Sequence, residues 1–97
     1  MPYVLKLEKA LAAAGWKVKI HDYERLEPPH ITIYRKMQRW RISLRDGRFL
    51  DRHGSWSQIA AGVRLAVLCN WSTLTQEWDT MHPDNPVSSQ DNEQTLA

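Results

Sequence analysis

Nine side chains able to bind or process a phosphate recur along three short stretches of this chain: Lys17, Lys19 and His21; His30, Thr32 and Tyr34; Arg39, Arg41 and, past Ser43, Arg45. Five of them are permanently cationic and none is acidic. Phosphate binding needs several cations at fixed spacing, and alternate positions on strands supply a rigid grid. Lys17, Lys19, His21, Thr32, Arg39, Arg41 and Arg45 are therefore candidates for contact with nucleic acid. Cleaving RNA without metal needs a proton acceptor for the 2′-hydroxyl, a donor for the leaving oxygen and cations for the phosphorane charge. His30, Tyr34 and Arg41 are the candidates for those roles. A plainer reading stands beside both: a solvated sheet face often carries Lys, Arg and Thr only to stay soluble and discourage edge pairing.

The charge distribution points the same way. Residues 1–64 carry thirteen basic and six acidic side chains, a net of +7, whereas residues 65–97 carry five acids and no Lys or Arg, a net of −5. The overall +2 hides this split. A basic half attracts polyanions such as RNA, and an acidic end competes with them.

Other chemistries lack their residues. The four histidines are scattered and the single cysteine, Cys69, has no partner at a zinc-ligand spacing, so no metal site is expected. No glycine-rich phosphate loop or serine nucleophile elbow occurs, and no cofactor is expected. Cys69 reads as a small core residue, and His53 and His82 read as incidental loop residues. One cysteine also excludes an internal disulfide and fits a reducing compartment. No apolar run approaches the ~20 residues that cross a bilayer, and none follows a basic start as in a secretory signal. A cytoplasmic protein without membrane contact is the expectation.

The elements that must position these side chains can be read from periodicity. Val4, Leu7, Leu11 and Ala14 recur at spacings of three and four, which predicts a helix over residues 3–14 with Gly15 just past its end. Trp16, Val18 and Ile20, then Ile31 and Ile33, then Trp40, Ile42 and Leu44 alternate with the polar residues above, which predicts three half-buried strands. A tight turn at Lys36-Met37 sets Tyr34 opposite Arg39, Thr32 opposite Arg41 and His30 opposite Ser43. The same register sets Ile33 opposite Trp40 and Ile31 opposite Ile42, so both faces agree. Pro28-Pro29 cannot join a ladder and fixes the entry to the second strand, where His30 could also serve as a simple loop cap. Ser55 with Gln58 is a capping box. Ile59, Val63, Val67, Trp71, Leu74 and Trp78 then form one helical stripe that Gly62 or residues 70–72 could divide. The predicted fold is α+β in the order α-β-β-β-α: a three-stranded antiparallel sheet with helices on one face and a basic open face. A single domain is expected over residues 1–81, with residues 82–97 a polar, acidic, disordered tail.

That order resembles double-stranded-RNA-binding domains and the HicA-type mRNA interferases. The likeness rests on Leu5-Leu7-Leu11, the step Ala14-Gly15-Trp16 into the first strand, and His30 opening the second. It implies a toxin-like ribonuclease with His30 as the catalytic histidine. The family's Gly-Ser before that histidine is Pro28-Pro29 here, and a Lys-rich helix start is missing from residues 55–61. Separately, Glu27-Pro28-Pro29-His30-Ile31-Thr32-Ile33 resembles the E-P-P-H-V-H-V strand of a small bacterial domain of unknown function, with Thr32 in place of the second histidine. That resemblance implies an antitoxin-like protein partner. The competing class is a protein-interaction module docking through its C-terminal helix or a sheet edge.

Overall fold

The computed structural model describes residues 2–22 and 27–87. Four strands form one antiparallel sheet in chain order: β1 (Tyr3–Leu5), β2 (Trp16–Ile20), β3 (His30–Arg35) and β4 (Gln38–Ser43). Helix α1 (Lys9–Ala13) links β1 to β2, and α2 (Ala61–Cys69) and α3 (Trp71–Met81) follow the sheet. The α+β class is as expected, but the sheet has four strands rather than three.

The extra strand comes from the segment predicted as one long helix. Tyr3 and Leu5 lie opposite Ile20 and Val18, and Leu5 is buried there. Val4, which the helical stripe placed inside, is exposed on the other face. Three residues of strand alternation compete poorly with an eleven-residue helical pattern in the sequence, yet they win here because β2 offers an unpaired edge. Only one helical turn and a half remain as α1, which buries no residue fully. Gly15 ends it with φ +96°, the left-handed conformation expected just past a helix.

The β3–β4 hairpin has the predicted register at all five pairs, His30–Ser43 through Tyr34–Arg39, and Arg35–Gln38 closes it around Lys36-Met37. Lys36 sits at φ 55° without being glycine or asparagine, so the turn is set by the ladder on either side and not by its own residues.

Trp16, Val18, Ile33, Trp40 and Ile42 on one face of the sheet join Val63, Val67, Leu74 and Trp78 of α2 and α3 in one core. Trp16 and Trp40 stack with ring centroids 5.8 Å apart. The Ser55–Gln58 capping box forms, but it opens a single turn at Trp56–Gln58, and α2 starts later at Ala61. Gln58 Oε1 accepts from both the Ser55 backbone N–H and Trp40 Nε1, which ties that turn to the core. The long apolar stripe does divide, at Asn70: its Nδ2 donates at 2.8 Å to Ala66 O, which also accepts the Asn70 backbone N–H, so the side chain reinforces the closing turn of α2.

Residues 82–87, expected to begin the tail, instead form a strap. Trp78 Nε1 donates to Asn85 O, Asn85 Nδ2 to Glu27 O, and Val87 N to Asp79 Oδ1, each at 2.7–2.8 Å. Residues 88–97, the rest of the expected tail, lie outside the described residues.

Candidate nucleic-acid interface

Residues directly opposite one another in an antiparallel sheet share a face. The register therefore lays out the polar face as rows: Lys17–Tyr34–Arg39, then Val4–Lys19–Thr32–Arg41, then His30–Ser43. Adjacent strands lie about 4.8 Å apart and successive rows about 6.7 Å apart, so the first row spans roughly 10 Å.

That first row is open. Lys17 and Arg39 are exposed and Tyr34 is half-buried between them. Tyr34 Oη and His21 Nε2 share a hydrogen bond of 2.6 Å, and the histidine ring stands edge-on to the phenol at 89°. Among the described residues no acid forms an ion pair with Lys17, Lys19 or Arg39. At the hairpin end Arg35 lies over the Trp16 ring, 5.2 Å from its centroid, and Lys36 is exposed at the turn. Arg35 lies opposite Trp16 and Gln38 and so belongs to the tryptophan face, and Lys36 lies in the turn, so neither joins the polar rows.

The rest of the face departs from the expectation of an acid-free, solvated grid. His30 is 2% exposed and Thr32 3%, so both are buried. His30 Nδ1 donates to Pro28 O at 2.8 Å, the loop-capping contact that was the plainer reading of a histidine after Pro-Pro, and its ring lies 5.4 Å from Trp78. Arg41 is held by two carboxylates: Nη1 meets Glu27 Oε1 at 2.6 Å, and Nε and Nη2 each meet Asp51 Oδ1 at 3.2 Å. Asp51 Oδ2 also accepts from the Arg41 backbone N–H at 2.8 Å. Arg45 donates from Nε to Val87 O and from Nη2 to Pro86 O, so its guanidinium holds the C-terminal strap. Glu27 and Asp51 sit in loops, 14 and 10 residues from Arg41, and no periodicity in the sequence could have brought them there.

Of the proposed catalytic trio, Tyr34 is on the open row, His30 is beneath the surface and Arg41 is neutralised. Of the proposed binding set, Lys17, Lys19, His21 and Arg39 gather around Tyr34, while Thr32, Arg41 and Arg45 do not present free polar groups there.

Two further residues differ from expectation. His82 is buried and structural: Nε2 donates to His21 O at 2.8 Å and its ring packs 4.0 Å from that of Trp78. Its Nδ1 is the one buried side-chain nitrogen or oxygen among the described residues without a hydrogen-bond partner. Cys69 is exposed at the end of α2 and is not a core residue. Among the described residues, no group of three or more His, Cys, Asp or Glu side chains could hold a metal ion, and no helix is long and apolar enough to cross a membrane. Comparison of the chain with protein-family models, with curated proteins and with solved structures finds no match.

Proposed function

We propose that the protein binds a nucleic acid or another polyanion through the row Lys17–Tyr34–Arg39 and the neighbouring Lys19. The observation that supports this most is that no described acid compensates these cations. Three cations share one sheet face with no described acid in ion-pair reach, while Arg41, two residues from Arg39, is paired twice. Uncompensated cations on a rigid grid attract phosphates, and each phosphate contact releases condensed counterions. Binding without cleavage is the better supported form of this function. His30, the residue that the resemblance to mRNA interferases would make catalytic, is buried and hydrogen-bonded to a loop carbonyl.

The test is a salt titration of RNA binding. The wild type should bind at low ionic strength and lose affinity steeply as salt rises, and Lys17→Ala and Arg39→Ala should each lower the slope by about one. Incubation with structured and unstructured RNA in chelator should leave the RNA intact. Release of fragments that His30→Ala abolishes would restore the ribonuclease.

One observation favours a second function, docking of a protein partner such as an antitoxin-like one. Leu65 and Leu68 on α2 are 61% and 53% exposed, and Leu68 lines a groove with half-buried Trp56 and Trp71. The surface in question belongs to α2, since α3 commits Leu74 and Trp78 to the core. The outer edge of β4 is mostly taken: Ser43 N donates to Arg48 O, Leu50 N to Arg41 O, and Asp51 accepts from Arg41 N. Apolar docking on α2 would be insensitive to salt and to Lys17→Ala.

A further inference from the structure

Tyr34 occupies the middle of the open row, on β3, with Lys17 directly opposite on β2 and Arg39 directly opposite on β4. The two cations bracket its ring at roughly 5 Å of strand spacing on each side. The ring sets this row apart from the next, where Thr32 fills the equivalent place and is buried. The ring is also held. Its hydroxyl is fixed by His21 Nε2 at 2.6 Å, and His21 is itself anchored through its carbonyl oxygen to His82 of the strap.

We propose that Tyr34 is a stacking platform for one unpaired base of a single-stranded nucleic acid, with Lys17 and Arg39 taking the phosphates on either side of that nucleotide. This rests on the polyanion-binding function above and names its ligand. Every base has a π-face, so a tyrosine ring accepts any of them, and the flanking cations track the backbone. Holding the ring in advance reduces the freedom lost when a base lands on it. A duplex cannot use the platform, because its bases are already paired and stacked and must be unstacked first. The cations alone would bind single and double strands alike, and the aromatic ring is what separates them.

The experiment compares wild type, Tyr34→Leu and Tyr34→Phe for binding to labelled oligouridylate, to oligothymidylate and to an RNA duplex of the same length, each across a salt series. The wild type should prefer both single strands to the duplex. Tyr34→Leu should weaken single-strand binding by about tenfold or more, leave duplex binding unchanged, and leave the salt slope unchanged because no charge is removed. Tyr34→Phe keeps the ring and should retain most of the affinity, which also guards against misreading an unfolded leucine variant. If Tyr34→Leu folds and binds single strands like the wild type while Lys17→Ala and Arg39→Ala still flatten the slope, the platform is wrong and the cationic face stands. A loss confined to the RNA arm would put the 2′-hydroxyl at Tyr34 in place of a base and overturn the proposal. If the wild type binds none of the three at low salt, the polyanion-binding function itself fails.

Discussion

Arg39 and Arg41 lie two positions apart on β4 and project to the same face of the sheet. Arg39 is exposed and meets no described acid, whereas the Arg41 side chain is only 33% exposed and grips Glu27 and Asp51. The same contrast runs across the sheet. Tyr34 and its two cations form an open half near the hairpin turn, and Thr32, Ser43 and His30 form a covered half near the entry loop. Identical residue types at identical strand spacing thus end in two chemical states. The difference lies in what the loops deliver. Glu27 comes from the segment before Pro28-Pro29 and Asp51 from the stretch after the sheet, and both reach Arg41 while neither pairs with Arg39. A basic strand pattern on its own therefore fixes where cations point, and the loops decide which of them remain available to a ligand.

The largest effect should come from the support beneath both halves. Trp40 is buried, stacks on Trp16 and donates to Gln58. Trp40→Ala should cost about 3–5 kcal/mol, as large aromatic truncations in packed cores do, and a domain of this size has little more to lose. The measurement is a denaturant midpoint, and an unchanged midpoint would show that Trp40 does not hold the face. Next comes His30. His30→Ala removes a buried ring against Trp78 and leaves Pro28 O without its donor, so about 1–3 kcal/mol of stability should go. The salt slope of RNA binding should stay as it was. A large loss of binding in a variant of undiminished stability would place His30 in the ligand site and dissolve the boundary between the halves.

How far the sequence carried this contrast depends on the link concerned. Side-chain alternation has a period of two, so Ile33 against Trp40 and Tyr34 against Arg39 demand one another, and a tight turn at Lys36-Met37 then leaves one hairpin register. β1 was missed because Tyr3, Val4 and Leu5 satisfy a helical spacing as readily as a strand, and only pairing with β2 decides between them. At the site, the placing of Lys17, Tyr34 and Arg39 on one face and the pairing of Tyr34 with Arg39 were legible, whereas the register that sets Lys17 opposite Tyr34 comes from the structure. The burial of His30 and the capture of Arg41 and Arg45 were not legible either, since they depend on Glu27, Asp51, Pro86 and Val87 arriving from distant loops. The plainer reading of His30 as a loop cap had named the contact with Pro28 correctly in kind.

Asp51 offers a way to sharpen the contrast. Asp51→Asn weakens the ion pair but keeps the size of the side chain and part of its hydrogen bonding to Arg41. Stability should fall by about 1 kcal/mol, since a partly exposed pair that also caps a backbone N–H is worth little more. Binding should strengthen, with the salt slope rising by up to about one, because the substitution removes one negative charge beside the open half and leaves Arg41 matched by Glu27 alone. A fall in RNA affinity would instead mean that Asp51 organises the site.

The smallest effect is the most direct comparison. Arg41→Gln and Arg39→Gln each remove one positive charge from the same strand and the same face. If available charge drives binding, Arg39→Gln lowers the salt slope by about one, while Arg41→Gln changes it little, because the guanidinium it removes is already matched by Glu27 and Asp51. Arg41→Gln even leaves those two carboxylates unneutralised, so a small loss of affinity should appear at low salt and fade as salt screens it, since the Debye length falls to about 10 Å at 0.1 M. Both slopes come from one titration series on three proteins. Equal slope changes for the two variants would mean that a polyanion displaces the carboxylates from Arg41. The covered half would then belong to the binding surface, and its ion pairs would be a gate that the ligand opens.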